Sequence, residues 1–306
     1  MLNLESVEQA TQLLKGKVHR TPILQSSTLN EIAGCDLYFK CENLQKTGAF
    51  KARGALNSVL NLPEECHAVI THSSGNHGAA LAWAARQQNL TCYVVCPETA
   101  SATKKANIRR YGGIIIPCGP ELASREEVMR EFLDSHESHV VPPYDDDLII
   151  AGQGTMALEL LDQVKDLEEI WVPVGGGGLI SGCIVGAGNR ARVVGAEPEL
   201  AGETYESLQR KERLPPYPPK SIADGLLAGV GVRNFEILSR HQTSVFLVTE
   251  AEIVEAMRLI WSTLKIVIEP SSAVPMAALL KNKEKVRGKH VGVVLTGGNV
   301  QVDLAK

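Results

Sequence analysis

Four short stretches of the sequence set reactive or anion-binding groups where one kind of local pattern gives way to another. In QKTGAFKARGALNSV, Lys51 follows Phe50 and stands two residues before Arg53, at the start of a helix-length apolar pattern. A lysine amine becomes a nucleophile when its surroundings hold it neutral, although most lysines are solvated surface residues. In THSSGNHGAAL, Ser73, Ser74, Asn76 and His77 put hydroxyls and an amide at a helix start, where capping alone would need one of them. In VPVGGGGLISG, Gly175, Gly176, Gly177 and Gly178 lie between an apolar run and a helical one. Glycines there let the backbone approach an anion, and the helix N-terminus offers unpaired N–H groups and a partial positive charge. The motif is neither a Walker loop nor the G-x-G-x-x-G dinucleotide fingerprint. In VVLTGGN, Thr296 and Asn299 flank another glycine pair.

The segments around these turns indicate how they are positioned. AVITH, TCYVVCP and GIIIPCG are short β-branched runs, each followed by a helix-length segment: NHGAALAWAARQQ, SATKKANIRRYG and SREEVMREFLDS. After the acidic loop PPYDDD come a helix through TMALELLDQV, the runs EEIWVPV and RVVGAEP, and finally HVGVVLTGG. This alternation predicts βαβ units, hence an α/β fold of two doubly wound parts with ligands beyond the carboxyl ends of the strands. The length of 306 residues suits two such parts.

Composition excludes several partners. With 44% hydrophobic residues, 35 acidic against 31 basic side chains and a net charge of -4, the chain lacks the electrostatic footprint of a nucleic-acid or anionic-membrane binder. A small molecule is the expected partner. Residues 170–188 carry no charge, but Pro173 and four glycines interrupt them, which suits strand, turn and helix rather than a membrane span. The start, MLNLESVEQATQLLKG, reads as a helix with a capping box formed by Ser6 and Gln9, not as a secretory signal. Cys35, Cys41, Cys66, Cys92, Cys96, Cys118 and Cys183 include no C-x-x-C pair, so neither a disulfide framework nor a zinc site is expected, and a reducing cytosol is the expected setting.

Together the turns supply an amine, a phosphate cradle, hydroxyls at a helix N-terminus and a strand-end hydroxyl, an inventory that suits pyridoxal phosphate. KTGAFKARGA, HSSGNHG, AGQGT, VPVGGGG, AEP and TGGN, in that order over residues 46–299, resemble the fold type II pyridoxal-phosphate enzymes. The resemblance is strongest to the serine racemase and serine/threonine dehydratase family. It implies a large cofactor-binding domain of residues 1–65 and 146–306, a small mobile domain of residues 66–145, the cofactor in the cleft between them, and a homodimer.

By that resemblance Lys51 would carry the Schiff base and act as the base on one face, with Phe50 against the cofactor ring. Ser74 would act on the opposite face, and Asn76 would bond the pyridoxal 3-oxygen. Gly175, Gly176, Gly177, Gly178 and Leu179 would bind the phosphate, and Thr296 would meet the pyridine nitrogen. Two bases on two faces imply interconversion of L- and D-serine, with loss of the β-hydroxyl giving pyruvate and ammonia as a competing outcome. Substrate contacts would come from Ser73, Ser74, Gly75, Asn76, His77, Arg125 and Tyr144. Glu197, the Ala201 carbonyl and Glu203 would hold Mg²⁺, Ca²⁺ or Mn²⁺, hard cations suited to oxygen donors. Ser26, Ser27, Thr28, Lys46, Thr47, Tyr111, Lys265 and Asn299 match a site for ATP as an activator, with Ala79 where glutamine is usual.

Substrate choice stays open at this level. Tyr144 resembles the threonine dehydratase branch, whereas Arg125 resembles the racemases. Dehydration of L-serine or L-threonine without racemisation, aspartate racemisation and threo-3-hydroxyaspartate dehydration are the alternatives on the same scaffold. Asp145, Asp146 and Asp147 would repel a second substrate carboxylate if they faced the site, or would simply cap the next helix. The end of the sequence soon after TGGN implies no isoleucine feedback. A non-catalytic binding module and an NAD-dependent oxidoreductase are the readings outside the family.

Overall fold

The computed structural model describes residues 2–215 and 220–301. A helix at Leu4–Leu14 leads into the two-residue strand β1 (Ile23–Leu24) and then β2 (Asp36–Cys41). The chain next passes through the Lys51–Leu60 helix and builds a separate parallel sheet from β3 (Ala68–His72), β4 (Thr91–Pro97), β5 (Ile114–Cys118) and β6 (His139–Val140), in the order β5-β4-β3-β6. It returns through the Asp147–Gln163 helix to add β7 (Glu169–Pro173), β8 (Arg192–Pro198), β9 (Ser244–Val248) and β10 (His290–Leu295). These complete a six-stranded sheet, β1-β2-β10-β7-β8-β9, parallel except for the antiparallel β1–β2 edge.

The expected α/β fold with parallel sheets is what forms. All five residues of β7 are buried and β10 is buried beyond His290, as strands covered on both faces must be. The edge strand β1 escapes the sequence pattern because two residues give no period to read.

One correction and one finding concern the helices. The first helix starts earlier than Ser6: Asn3 is the N-cap, its Oδ1 accepting from Ser6 N at 3.0 Å, while Ser6 Oγ accepts from Asn3 N at 3.4 Å. Gln9 does not close the box and donates to Glu5 instead, at 3.3 Å. AGQGT, given no role in the sequence reading, proves to be a packing motif. A Cβ on Gly152 would lie 2.6 Å from Gly54 Cα, and one on Gly154 would lie 2.6 Å from the Gly182 carbonyl. The Asp147–Gln163 helix therefore meets the Lys51–Leu60 and Gly178–Ala187 helices backbone to backbone.

A buried ionic network fixes the Lys51–Leu60 helix from its other side. Arg53 grips Glu42 through Nε and Nη2 at 2.8 and 2.7 Å and reaches Glu159 at 3.1 Å, while Lys40 donates to the same Glu159 at 2.5 Å. Arg53, Glu42 and Lys40 are all fully buried, and removing one partner from such a set leaves an uncompensated charge. The network thus holds Lys51, two residues upstream of Arg53, in a defined place. The seven cysteines are free, all buried but Cys66. No helix among the described residues is long and apolar enough to cross a membrane.

Candidate active site

The strand ends of the two sheets bring the four stretches together. Lys51 opens its helix, and its part-buried ammonium donates to the Pro143 carbonyl at 2.6 Å and lies 5.1 Å from the Phe50 ring centre. Burial lowers its pKa from 10.5 to about 8, which brings the neutral amine within reach of ordinary pH. The next residue after Pro143, Tyr144, covers the glycine turn: a Cβ on Gly176 would lie 2.3 Å from the Tyr144 ring, and one on Gly178 2.9 Å from its carbonyl. Amine and glycine turn therefore belong to one site. Burial, and secondarily Asp145, raises the Tyr144 hydroxyl pKa, so its phenol stays neutral.

The glycine turn connects β7 to the Gly178–Ala187 helix. Gly177 is left-handed at φ 87°, and a Cβ there would approach Asn234 Cβ at 2.7 Å. Asn234 Nδ2 donates to the Gly176 carbonyl at 2.8 Å, and Gly231 N donates to the same oxygen at 3.1 Å. With its carbonyl tied back, the turn can leave the leading amides of the helix to an anion, where the helix dipole adds to their attraction. A cradle that any side chain would obstruct fits the phosphate of pyridoxal phosphate. Gly177→Ala should cost about 1–3 kcal/mol of stability through its backbone strain and weaken cofactor binding. Chemical denaturation and a fluorescence titration with pyridoxal phosphate check both effects.

The adjacent serines divide their work. Ser73 Oγ accepts from the amides of Gly75 and Gly78, at 3.1 and 3.0 Å, in the first turn of the Asn76–Gln87 helix. Ser73 Oγ thus serves the helix start as an acceptor, and its O–H keeps a proton to donate. Ser74 is part-exposed beside it. His77 Nε2 bonds the Val141 carbonyl at 3.3 Å, and burial together with the nearby Lys51 charge lowers its pKa to about 3. It is therefore a neutral imidazole near the amine. His72 is likewise held neutral, with a pKa lowered to about 4 by burial and by Arg125. Arg125 itself donates to the Pro120 carbonyl at 2.9 Å.

At the opposite wall, Thr296 Oγ1 lies 3.1 Å from Ser272 Oγ, which donates to the Gly297 carbonyl at 2.7 Å. This hydroxyl pair suits a pyridine nitrogen that is not forced to protonate. Asn76 Nδ2 donates to Glu269 Oε1 at 2.7 Å, and Asn299 Nδ2 donates to Asn76 Oδ1 at 2.9 Å. Ser272 and Glu269 were missed at the level of sequence, because PSSAVPMAALLK reads only as an apolar helix.

The remaining expected residues fall into two groups. Glu197 accepts from Thr204 N and Tyr205 N at 3.2 and 2.8 Å, and burial pushes its pKa up to about 8. Glu203 Oε2 accepts from Val230 N at 3.0 Å, while its buried Oε1 has no partner among the described residues. Two desolvated carboxylates with a free oxygen, near the Ala201 turn, fit a hard cation. No group of three or more His, Cys, Asp or Glu side chains suited to a metal occurs among the described residues.

Of the nucleotide set, Asn299 donates to the Thr47 carbonyl at 2.8 Å, and Lys46 lies in the same turn as Thr47. Ser26 caps the Ser27–Ala33 helix that contains Thr28. Tyr111 ends the Ala102–Arg110 helix beside the smaller sheet, and Lys265 turns its amine to the Ser262 carbonyl. The structure thus joins Thr47 to Asn299, and among the described residues no direct bond gathers the others.

Asp145 and Asp146 are helix caps: Asp145 accepts from Val232 N and Arg233 N at 3.0 Å each, and Asp146 from Leu148 N and Ile149 N at 2.9 and 3.0 Å. Asp147 pairs with Arg233 at 3.5 Å. The carboxylates of this loop are engaged in capping and pairing rather than directed at a ligand.

Residues 14–297 match the family model described as pyridoxal-phosphate dependent enzyme. The chain is 45% identical to the β-hydroxyaspartate dehydratase of Paracoccus denitrificans, covering 98% of this chain and 96% of that one. It is also 45% identical to the serine racemase of Dictyostelium discoideum, whose crystal structure superposes with a TM-score of 0.93 over 98% of this chain and 99% of that one. A crystal structure of a pyridoxal 5'-phosphate-dependent aspartate racemase is 37% identical, with a TM-score of 0.92 over 98% of this chain and 96% of the other.

Proposed function

Given that the chain belongs to the pyridoxal-phosphate-dependent enzyme family, we propose that it interconverts L- and D-serine and, in competition, eliminates water from serine to release an enamine that water then hydrolyses to pyruvate and ammonia. The observation that carries this reading is the division between the adjacent serines. Ser73 Oγ is anchored by two N–H bonds at the helix start, whereas Ser74 is part-exposed and left as a second proton carrier in a site that already holds the desolvated amine of Lys51.

Pyridoxal phosphate, when bound, supplies the electron sink that lets an amino acid lose its α-proton. Gly175 to Leu179 would hold its phosphate, Phe50 would pack on its ring, Asn76 would donate to its 3-oxygen, and Thr296 would offer its nitrogen a neutral hydroxyl. Lys51 Nζ takes or returns a proton on one face of the substrate and Ser74 Oγ does so on the other. A proton delivered to the opposite face inverts the centre, whereas departure of the β-hydroxyl commits the substrate to elimination. In this reading residues 66–145 form the small domain that moves against the large one, residues 1–65 and 146–306, and Gly75, Asn76, His77, Arg125 and Tyr144 line the substrate's position.

A second reading is dehydration of threo-3-hydroxyaspartate. Two observations favour it: Asp145 and Asp146 turn their carboxylates to the backbone N–H groups of Val232, Arg233, Leu148 and Ile149 rather than to a ligand, and a β-hydroxyaspartate dehydratase shares 45% identity. A chiral product assay with L-serine, L-threonine, L-aspartate and threo-3-hydroxyaspartate separates the cases. D-serine with pyruvate is the expected result. Keto acid alone from serine would overturn racemisation, and exclusive turnover of the hydroxyaspartate would install the second reading.

Glu197, the Ala201 carbonyl and Glu203 would bind Mg²⁺, Ca²⁺ or Mn²⁺ structurally, relieving the cost of burying both carboxylates. At a hundredfold excess of Mg²⁺ over its dissociation constant, the protein should gain about 2.7 kcal/mol of stability. The gain should vanish in Glu203→Ala, as a thermal melt would read. ATP, held around Thr47 and Asn299, would act as an activator. A homodimer is the assembly proposed, with exposed Leu44 and Val267 offered as part of its contact.

A further inference from the structure

Glu269 immediately precedes the Pro270–Lys281 helix, and its side chain is almost wholly buried. Its Oε1 accepts from Asn76 at 2.7 Å, and its Oε2 has no partner among the described residues. A Cβ on Gly297 would lie 2.5 Å from Oε1, so the glycine pair after β10 makes the room this carboxyl occupies. The bond crosses from the Asn76–Gln87 helix, beside the smaller sheet, to the body of the larger one. At its other end the Asn76 amide accepts from Asn299 Nδ2 at 2.9 Å.

An amide held in this way has one orientation. Turning it over would set its NH₂ group against the NH₂ group of Asn299, which the Thr47 carbonyl and Asn107 hold in place, and would leave its carbonyl facing Glu269, where only a protonated carboxyl could donate to it. One of the two Nδ2 hydrogens is taken by Glu269, and the second remains to be given.

We propose that Glu269 is a positioning residue for the reaction: it locks the Asn76 amide so that an N–H, not the carbonyl oxygen, is presented to the 3-oxygen of pyridoxal phosphate, and it does so across the boundary between the two sheets. This rests on the reading of Asn76 as the partner of that oxygen. The charged groups around Glu269 agree with the assignment. Lys104, from the Ala102–Arg110 helix, and Asp224 pair with one another at 2.5 Å and act on Glu269 with opposite signs. Burial prevails and raises the Glu269 pKa from 4.5 to about 7. The protonated form is therefore favoured by folding. Its contribution to stability is complete below about pH 4.5 and is lost as the pH rises through about 7.

The test uses full-length protein and pyridoxal phosphate. Glu269→Met keeps the volume and removes the acceptor, Glu269→Gln keeps an acceptor oxygen without a charge, and Asn76→Ala removes the residue being positioned. Cofactor dissociation constants are read by quenching of intrinsic fluorescence and the cofactor environment by its visible absorbance. Glu269→Met should weaken the cofactor about tenfold to a hundredfold and shift its absorbance in the same direction as Asn76→Ala. Glu269→Gln should restore affinity to within about threefold. In the Asn76→Ala background, Glu269→Met should add almost nothing.

Additive losses, or an unchanged absorbance and affinity in Glu269→Met alone, would overturn the proposal. If Asn76→Ala itself changes neither property, the reading of Asn76 fails and takes the proposal with it. Melting of the cofactor-free protein gives a further measurement. Wild type should lose more stability than Glu269→Gln as the pH rises from about 4.5 through about 7. Equal losses would count against the buried carboxyl described here.

Discussion

Lys51→Ala should leave a folded protein with neither racemisation nor elimination, a loss of at least about a thousandfold in kcat, and without the visible absorbance of the covalently held cofactor. The size follows from the two tasks assigned to one amine, attachment of the cofactor and transfer of a proton. Its ammonium sits part-buried against the Pro143 carbonyl, so the substitution removes a desolvated charge and the fold should tolerate it. In the cofactor-free wild type, burial lowers the lysine pKa to about 8, so the neutral amine accumulates as the pH climbs toward that value, and the rate at which pyridoxal phosphate attaches should climb with it. A visible band that survives in Lys51→Ala would mean that another amine holds the cofactor.

Ser74→Ala should reduce racemisation by about a hundredfold to ten-thousandfold while elimination of L-serine largely persists. Only inversion needs a proton delivered to the second face. Elimination needs one base and a departing hydroxyl. The neighbouring serine supplies the control: Ser73→Ala should lower stability by about 0.5–2 kcal/mol, as loss of a helix cap does, and leave the ratio of the two activities unchanged. Both activities falling together in Ser74→Ala, or both surviving, would remove Ser74 from its proposed role. The measurement is the D-serine to pyruvate ratio from one reaction mixture.

What could be read from the sequence was what is local. The strand-to-helix turns announce themselves by glycine and by a change of apolar period, so the α/β class, Lys51 at a helix start and the Gly175–Gly178 turn were all legible. Partners distant along the chain were not. Glu269 meets Asn76 across 193 residues, and nothing near either residue encodes the meeting. Capping was legible in type but not in register: Asn3 takes the place expected of Ser6, and Ser73 turns out to be the one serine of the pair that the helix uses. The meaning of the 145–147 acids depended on which amides stand opposite. Those belong in part to Val232 and Arg233, far along the sequence. AGQGT attracts the eye as a motif, yet its glycines are set by how closely two helix backbones approach, which only the folded chain reveals.

The contact of Gly54 with Gly152 also has a bearing on engineering. The chain leaves the larger sheet through the Lys51–Leu60 helix and re-enters it through the Asp147–Gln163 helix, and these two glycines hold the exit and the entrance side by side. The four-stranded sheet is thus a cassette with both leads at a single socket. Transplanting residues 61–146 from a relative leaves the socket intact and asks for two matched seams: the alanine-rich face of the Asn76–Gln87 helix against Ala52, Ala55 and Leu56, and the polar contacts of Asn76, Lys104 and Asp145 with Glu269, Asp224 and the Val232 and Arg233 amides. Chimaeras cut at this socket can exchange the Ser74 and Arg125 side of the site as a block while Lys51, the glycine turn and Thr296 stay in place.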